Sequence, residues 1–276
     1  MARTSGRKLA SIASRPSMLV GLAAIVGVIG FHLWITPSNP PGYHRDEAAL
    51  SLNAYTLSTS LRDEDGALLP LFFRSFEDYK SPVFPYLLAG IFRITGPDAQ
   101  VARALAAVLV LAAVLLLGVL AKRLTGSSLV AIFVVVGAGL TPWLFELGRV
   151  AFEVSTQPLL LVLLLLSLER TARLERYRAG EGVVAGVLVG LLTYSYTGSR
   201  LLGPLLAGAL VVFAGPKRWR FLLTAWAVFL AALVPMGVHA IRHPGALTAR
   251  YEATTIARDG LSGARLVAQA IRQLVP

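Results

Sequence analysis

The chain has 276 residues, of which 55% are hydrophobic and only 15% charged, with a mean hydropathy of +0.67; soluble domains carry about 25% charged residues, so a soluble globular fold is excluded. It contains no cysteine, which removes disulfides, thiolate metal sites and cysteine nucleophiles. Its four histidines lack HExxH or comparable spacing, and its net charge of +11 is not interleaved with stacking aromatics, so structural zinc and nucleic-acid binding are set aside.

A basic N-terminus, residues 1–17, precedes an apolar run from Met18 to Ile35. The run is long for a signal peptide and ends without a small-x-small cleavage pattern, so it reads as an uncleaved first span with a cytoplasmic N-terminus. Residues 37–101 then form a large first loop. Within it, 46–61 (DEAALSLNAYTLSTSL) has the pattern of an amphipathic helix opened by acids at its positive end. The segment 82–95 (PVFPYLLAGIFRIT) is apolar but short, and it carries Pro82, Pro85 and Arg93. Further apolar runs cover 102–121, 128–146, 155–169, 182–197, 200–215 and 220–239. Residues 240–276 read as the opening of a larger outer loop in a longer parent, which would make the chain a fragment.

Loop charge decides how 82–95 is placed. If it lies in the interface, the cytoplasmic segments hold 13 of the 26 Lys and Arg residues beside three acids, and the remaining 13 are spread outside beside twelve acids. If it crossed, every later basic loop would face outward, against the positive-inside rule. The expected fold is therefore all-α and integral to the plasma membrane. About seven transmembrane helices form a module over 18–239, and two interfacial helices lie in its outer loop.

This topology brings four charged clusters to the outer face: His44 with Asp46 and Glu47; Glu77, Asp78, Tyr79 and Lys80; Arg149 with Glu153; and Tyr194, Tyr196 and Arg200. Ionisable groups at the hydrocarbon edge are costly unless paired or wetted, which marks each as a candidate functional residue. Each also has a plain structural reading. Asp46-Glu47 would cap a helix, Glu77–Lys80 would be a solvated turn, and Arg149–Glu153 an i,i+4 salt bridge. The tyrosines would be belt residues, Arg200 a snorkelling arginine, and His44 a supporting loop residue. As a set they suit transfer chemistry on a lipid phosphate: a carboxylate takes a proton from an acceptor hydroxyl, and Lys and Arg stabilise the departing phosphate. No nucleotide-binding glycine loop is present, which fits a donor that is not a nucleotide sugar.

At these residues the sequence resembles the GT-C glycosyltransferases of the protein O-mannosyltransferase and aminoarabinose-transferase type, glycosyltransferase family 39. The resemblance rests on GYHRDEAALSLNAY, on FEDYKSPVFPYLLAGIFRITG with VARALAAVL and its arginine at the head of the next span, on LTPWLFELGRVAFEVSTQPLLL, and on TYSYTGSRLLGPLL. These motifs run from Gly42 to Leu206, about 60% of the chain. The resemblance implies transfer of a sugar from a polyprenyl-phosphate donor to a hydroxyl of a protein, lipid or glycan acceptor outside the cytoplasm, with inversion. It implies Asp46 as general base, Glu47 as acceptor-binding or orienting acid, and Lys80, Arg149 and Arg200 at the donor phosphate. His44, Asp78, Tyr79, Glu153, Tyr194 and Tyr196 would support the acceptor. Ser81 stands where the family has the first proline of Lys-Pro-Pro, and Ser155 near where bacterial members have Asn.

Two other readings stand beside this one. A lipid-saccharide flippase would use the same headgroup-level charges but needs polar residues along its span interiors. An inactive fragment would need neither. Glu47 and Glu153 are carboxylates able to hold a divalent metal, although two carboxylates alone do not define a site.

Overall fold

The computed structural model describes residues 15–34, 40–76, 78–174, 179–215 and 218–249. Glu77, the basic N-terminal segment and the segment from 250 onward lie outside the described residues.

The first helix, α1 (Arg15–Leu33), is followed by α2 (Arg45–Ser60). α2 begins where it does because of a capping box: the His44 side chain accepts from the Asp46 backbone N–H, and the Glu47 side chain accepts from the His44 N–H. It stops at Leu61, which adopts a left-handed conformation with φ 59°. Two short strands, β1 (Phe73–Ser75) and β2 (Asp78–Lys80), form an antiparallel hairpin in which Phe73 pairs with Lys80 and Ser75 with Asp78. Because strand side chains alternate, Asp78 and Lys80 project to the same face. Next comes α3 (Val83–Thr95), which accommodates Pro85 because its first turn needs no internal N–H donors. These two helices were expected at 46–61 and 82–95. The hairpin between them was not foreseen; its strands are too short for a period-2 signal.

α4 (Ala99–Thr125) is capped by Asp98, which accepts from Gln100 and Val101, and is closed by Gly126 at φ 72°. Its 27 residues reach about 40 Å, more than the roughly 30 Å of a bilayer's hydrocarbon. The run 128–146 divides into α5 (Ser128–Gly139) and α6 (Pro142–Leu147). Pro142 forces the preceding Thr141 out of helical geometry, to ψ 121°, and so breaks what composition reads as one span. A single 3₁₀ turn, Glu153–Ser155, leads into α7 (Thr156–Ala172), followed by α8 (Ala179–Thr193), α9 (Ser199–Ala214) and α10 (Trp219–Arg242).

By length and composition, Ala99–Thr125, Glu153–Ala172 and Trp219–Arg242 can each cross a bilayer; five further apolar helices are 10–17 residues long. The protein is an all-α membrane protein, and helix length alone supports three of the seven expected spans. Large apolar side chains such as Phe133, Val212 and Leu230 are exposed on helix surfaces, as lipid contact requires.

Four packed groups organise the described residues, the smallest of them Phe72 with Tyr194 and Met236. α1, α4 and α5 meet around Val28, Val114 and Val135. α7 to α10 meet around Leu164, Val189, Leu210 and Phe229. A stripe of Gly182, Gly186 and Gly190 on α8 admits α10 at close range; a Cβ on Gly186 would lie 2.5 Å from the Ala225 carbonyl oxygen. The remaining group positions the site: Leu50, Ala54 and Leu57 of α2 and Phe84, Leu88 and Phe92 of α3 bury Phe73 of the hairpin against Ala102 and Ala106 of α4.

Candidate functional site

The site is assembled around the first turn of α2. Glu47 is 0% exposed, and its two oxygens accept four hydrogen bonds. Arg103 donates from Nε at 2.9 Å and from NH2 at 2.8 Å, the Ala151 N–H donates at 2.9 Å and the His44 N–H at 3.0 Å. Arg103 spends its remaining donors on the Pro40 and Gly42 carbonyls and lies over the Tyr43 ring. Burial pushes the Glu47 carboxyl up, but the Arg103 and backbone hydrogen bonds outweigh it and hold the group below the ordinary glutamate range. The pair ties α2, the head of α4 and the 148–152 segment together. Glu47 thus has both oxygens engaged, in the wall of the cavity that Asp46 also lines. Among the described residues, no three of His, Cys, Asp and Glu are grouped to hold an ion.

Asp46, next along the helix, points the other way. Its side chain is 27% exposed and lies 3.4 Å from Lys80 Nζ, which is 10% exposed and also 3.6 Å from Asp78. The hairpin register delivers Lys80 here, with Phe73 opposite it anchored in the core. Asp46 Oδ2 approaches His44 Nδ1 at 3.7 Å. That ring nitrogen already accepts the Asp46 N–H at 3.2 Å, so in neutral histidine the approach is not an ion pair. His44 is a 54% exposed cap whose ring packs edge-on against Phe152.

Two cavities meet at Asp46. A small one of 110 Å³ is lined by Asp46, Lys80, Glu153 and Tyr196. A larger one of 540 Å³ runs from Pro40 and Tyr43 past Asp46, Glu47 and Arg103 to Val150 and Phe152. Glu153 is buried and accepts from the Ser81 N–H, which fixes the chain just beyond Lys80. Asp46, Lys80, Glu153 and Tyr196 therefore share one space, as their loops were expected to do.

The other expected site residues have further partners, and Arg200 stays within electrostatic reach of Glu153 and Asp78. Arg149 does not pair with Glu153, because residues 148–152 are not helical and i,i+4 spacing does not apply. Instead it donates to the Trp34 carbonyl at the end of α1 and lies 4.5 Å from the Phe145 ring centroid. Arg200 donates to the carbonyls of Tyr79 at 3.0 Å and Leu247 at 3.1 Å, and it packs on Phe72. It braces the back of the hairpin. The Tyr79 ring meets His239 edge-on. The Tyr194 hydroxyl donates to the Ala232 carbonyl at 2.8 Å and accepts from the Met236 N–H at 3.1 Å. Those two groups would pair in a regular helix, so Tyr194 is inserted into the α10 ladder beside Pro235 and is not an interfacial belt tyrosine.

In the sequence Arg103 is legible only as the arginine heading the next span. A lone cation inside an apolar run was the available signal, and its buried partner could not be read from spacing.

The profile of the dolichyl-phosphate-mannose-protein mannosyltransferase family matches residues 79–241, more than half of the chain. The chain belongs to that family. It is therefore a membrane glycosyltransferase of the mannosyltransferase type, with a GT-C relationship. Lys80, Arg149, Glu153, Tyr194, Tyr196 and Arg200 fall inside the matched region; Asp46 and Glu47 precede it. No curated protein and no solved structure matches the chain.

Proposed function

We propose that the protein transfers mannose from a polyprenyl-phosphate donor to a hydroxyl of a protein acceptor on the extracytoplasmic face of the cell membrane, with Asp46 as general base. The observation that carries this reading is the Asp46–Lys80 contact at the junction of the two cavities. The acceptor enters along the larger cavity and the donor phosphate lies by Lys80. The acceptor oxygen attacks the anomeric carbon, its proton passes to an Asp46 oxygen, and the bond from that carbon to the phosphate oxygen breaks with its electron pair leaving on the phosphate. As Asp46 gains the proton it loses its negative charge and its hold on Lys80, and the ammonium turns to the phosphate as charge develops there. The outward orientation is supported by the loop-charge asymmetry.

The flippase reading is disfavoured by the span interiors. Buried Thr193 and Ser195 donate to the carbonyls of Val189 and Leu192, so these hydroxyls offer no polar path among the described residues. The test is incubation of the protein in vesicles with radiolabelled polyprenyl-phosphate mannose and a Ser/Thr-containing peptide. Labelled peptide supports transfer. Label that crosses the bilayer while the peptide stays unlabelled favours the flippase.

A further inference from the structure

A second groove, of 590 Å³, lies between the C-terminal end of α4, the C-terminal half of α7 and the first turns of α8. Arg123, which lines it, is twenty residues beyond Arg103 on α4, about 30 Å along the helix and about one hydrocarbon thickness away. The groove therefore opens at headgroup depth on the side of the membrane opposite Asp46.

Its two walls carry the same polar-to-apolar gradient. On α7, Arg170 lies above Leu166 and Leu163, at the i,i+4 and i,i+7 spacing that shares one helix face. On α8, Gly180 and Glu181 lie above Val184 and Leu188 in the same way. Gly180 has no side chain to cover the N–H groups of the α8 first turn, which add positive potential at the rim. Arg123 shares Glu169 with Arg173, and Glu169 is turned inward and buried, whereas the Arg123 side chain is half exposed. Arg170 is exposed and makes no ion pair among the described residues. Two arginines thus face one lining carboxylate, Glu181, above a trough that is apolar apart from Ser167 and Thr171, with the Thr171 hydroxyl donating to the Ser167 carbonyl.

We propose that this groove binds an anionic membrane phospholipid, with its phosphodiester between Arg123 and Arg170 and the upper part of an acyl chain along Leu163, Leu166, Val184 and Leu188. Charge complementarity selects this occupant: a zwitterionic head group would bring its own cation against the arginines, and a free phosphate would leave the trough uncovered. The proposal does not depend on the mannosyl-transfer reading.

The test uses the full chain in neutral detergent micelles. The unfolding midpoint is followed during titration with dioleoyl-phosphatidylglycerol, dioleoyl-phosphatidylcholine or inorganic phosphate. Phosphatidylglycerol is expected to raise the midpoint saturably, while the other two leave it in place. Each variant is compared with its own lipid-free midpoint. Arg170→Gln should weaken the phosphatidylglycerol effect about fivefold, and Val184→Trp, at an exposed wall position, should abolish it. An equal response to phosphatidylcholine, an equal response to inorganic phosphate, or an unchanged response in both variants would overturn the proposal.

Discussion

Arg103 grips Glu47 through both carboxylate oxygens, at 2.9 and 2.8 Å, fifty-six residues away in the chain. The geometry is a fork on a fork, with both partners buried. The pair fixes the direction of α2 and so turns Asp46, one residue back, toward Lys80. Removing one partner leaves a buried charge without compensation. Arg103→Ala and Glu47→Ala are each expected to cost about 3–5 kcal/mol of stability, and Arg103→Lys should recover little because an ammonium cannot bridge two oxygens. Thermal unfolding of the single and double variants measures this. Costs that simply add would show that the pair is not coupled.

The same pair sets an acid limb. Glu47 has its folded value depressed below the ordinary glutamate value, so its contribution is fully present above that ordinary value. It is lost as pH falls through the folded value. Stability should therefore decline as pH drops below the ordinary glutamate range, and Glu47→Gln should flatten that part of the decline. Unfolding midpoints across this range check the sign; a variant as acid-sensitive as the parent would place the effect on other carboxylates.

Tyr194 and Tyr196 look equivalent in TYSYTGSR but occupy different settings. Tyr194→Phe removes the hydroxyl that joins the Ala232 carbonyl to the Met236 N–H and should cost about 1–3 kcal/mol. Tyr196→Phe, at the wall of the small cavity, should stay within about 0.5 kcal/mol of the parent. Equal losses from the two changes would contradict the assignment.

The glycine stripe of α8 predicts a steric contrast. Gly186→Ala meets the Ala225 carbonyl oxygen at 2.5 Å and Val228 Cβ at 2.8 Å, and it should destabilise by about 1–3 kcal/mol. Gly27→Ala on α1 meets nothing within 4 Å and should be neutral or slightly stabilising. Comparison of their unfolding midpoints tests whether α8 and α10 approach as closely as described.

Much of this architecture is legible in the sequence because its signals are local. Apolar runs mark the helices, and the 82–95 run marks α3. α2 announces itself by its acids, although the cap itself is His44, which was weighed only as a supporting residue. What could not be read is set by contacts across long separations. Spacing places Arg149 and Glu153 on one helix face, but residues 148–152 do not form a helix. Arg149 and Arg200 carry the charge expected at a phosphate, and spacing could not show that they also donate to backbone carbonyls, of Trp34 in one case and of Tyr79 and Leu247 in the other, while each keeps a buried Nε without a hydrogen-bond partner among the described residues. Tyr194 serves a proline-disturbed helix forty residues on. The division of 128–146 was legible in principle, since Pro142 stands in the run and restricts Thr141.

The central claim is that Asp46 is the base. Asp46→Asn keeps the size of a side chain that is 27% exposed, so folding should survive, and the unfolding midpoint verifies that it does. The decisive measurement is the single-turnover rate of mannose transfer from polyprenyl-phosphate mannose to a peptide hydroxyl, in the parent and in Asp46→Asn at saturating donor. A fall of about 10²- to 10⁴-fold is expected; transfer at the parent's rate would contradict the assignment.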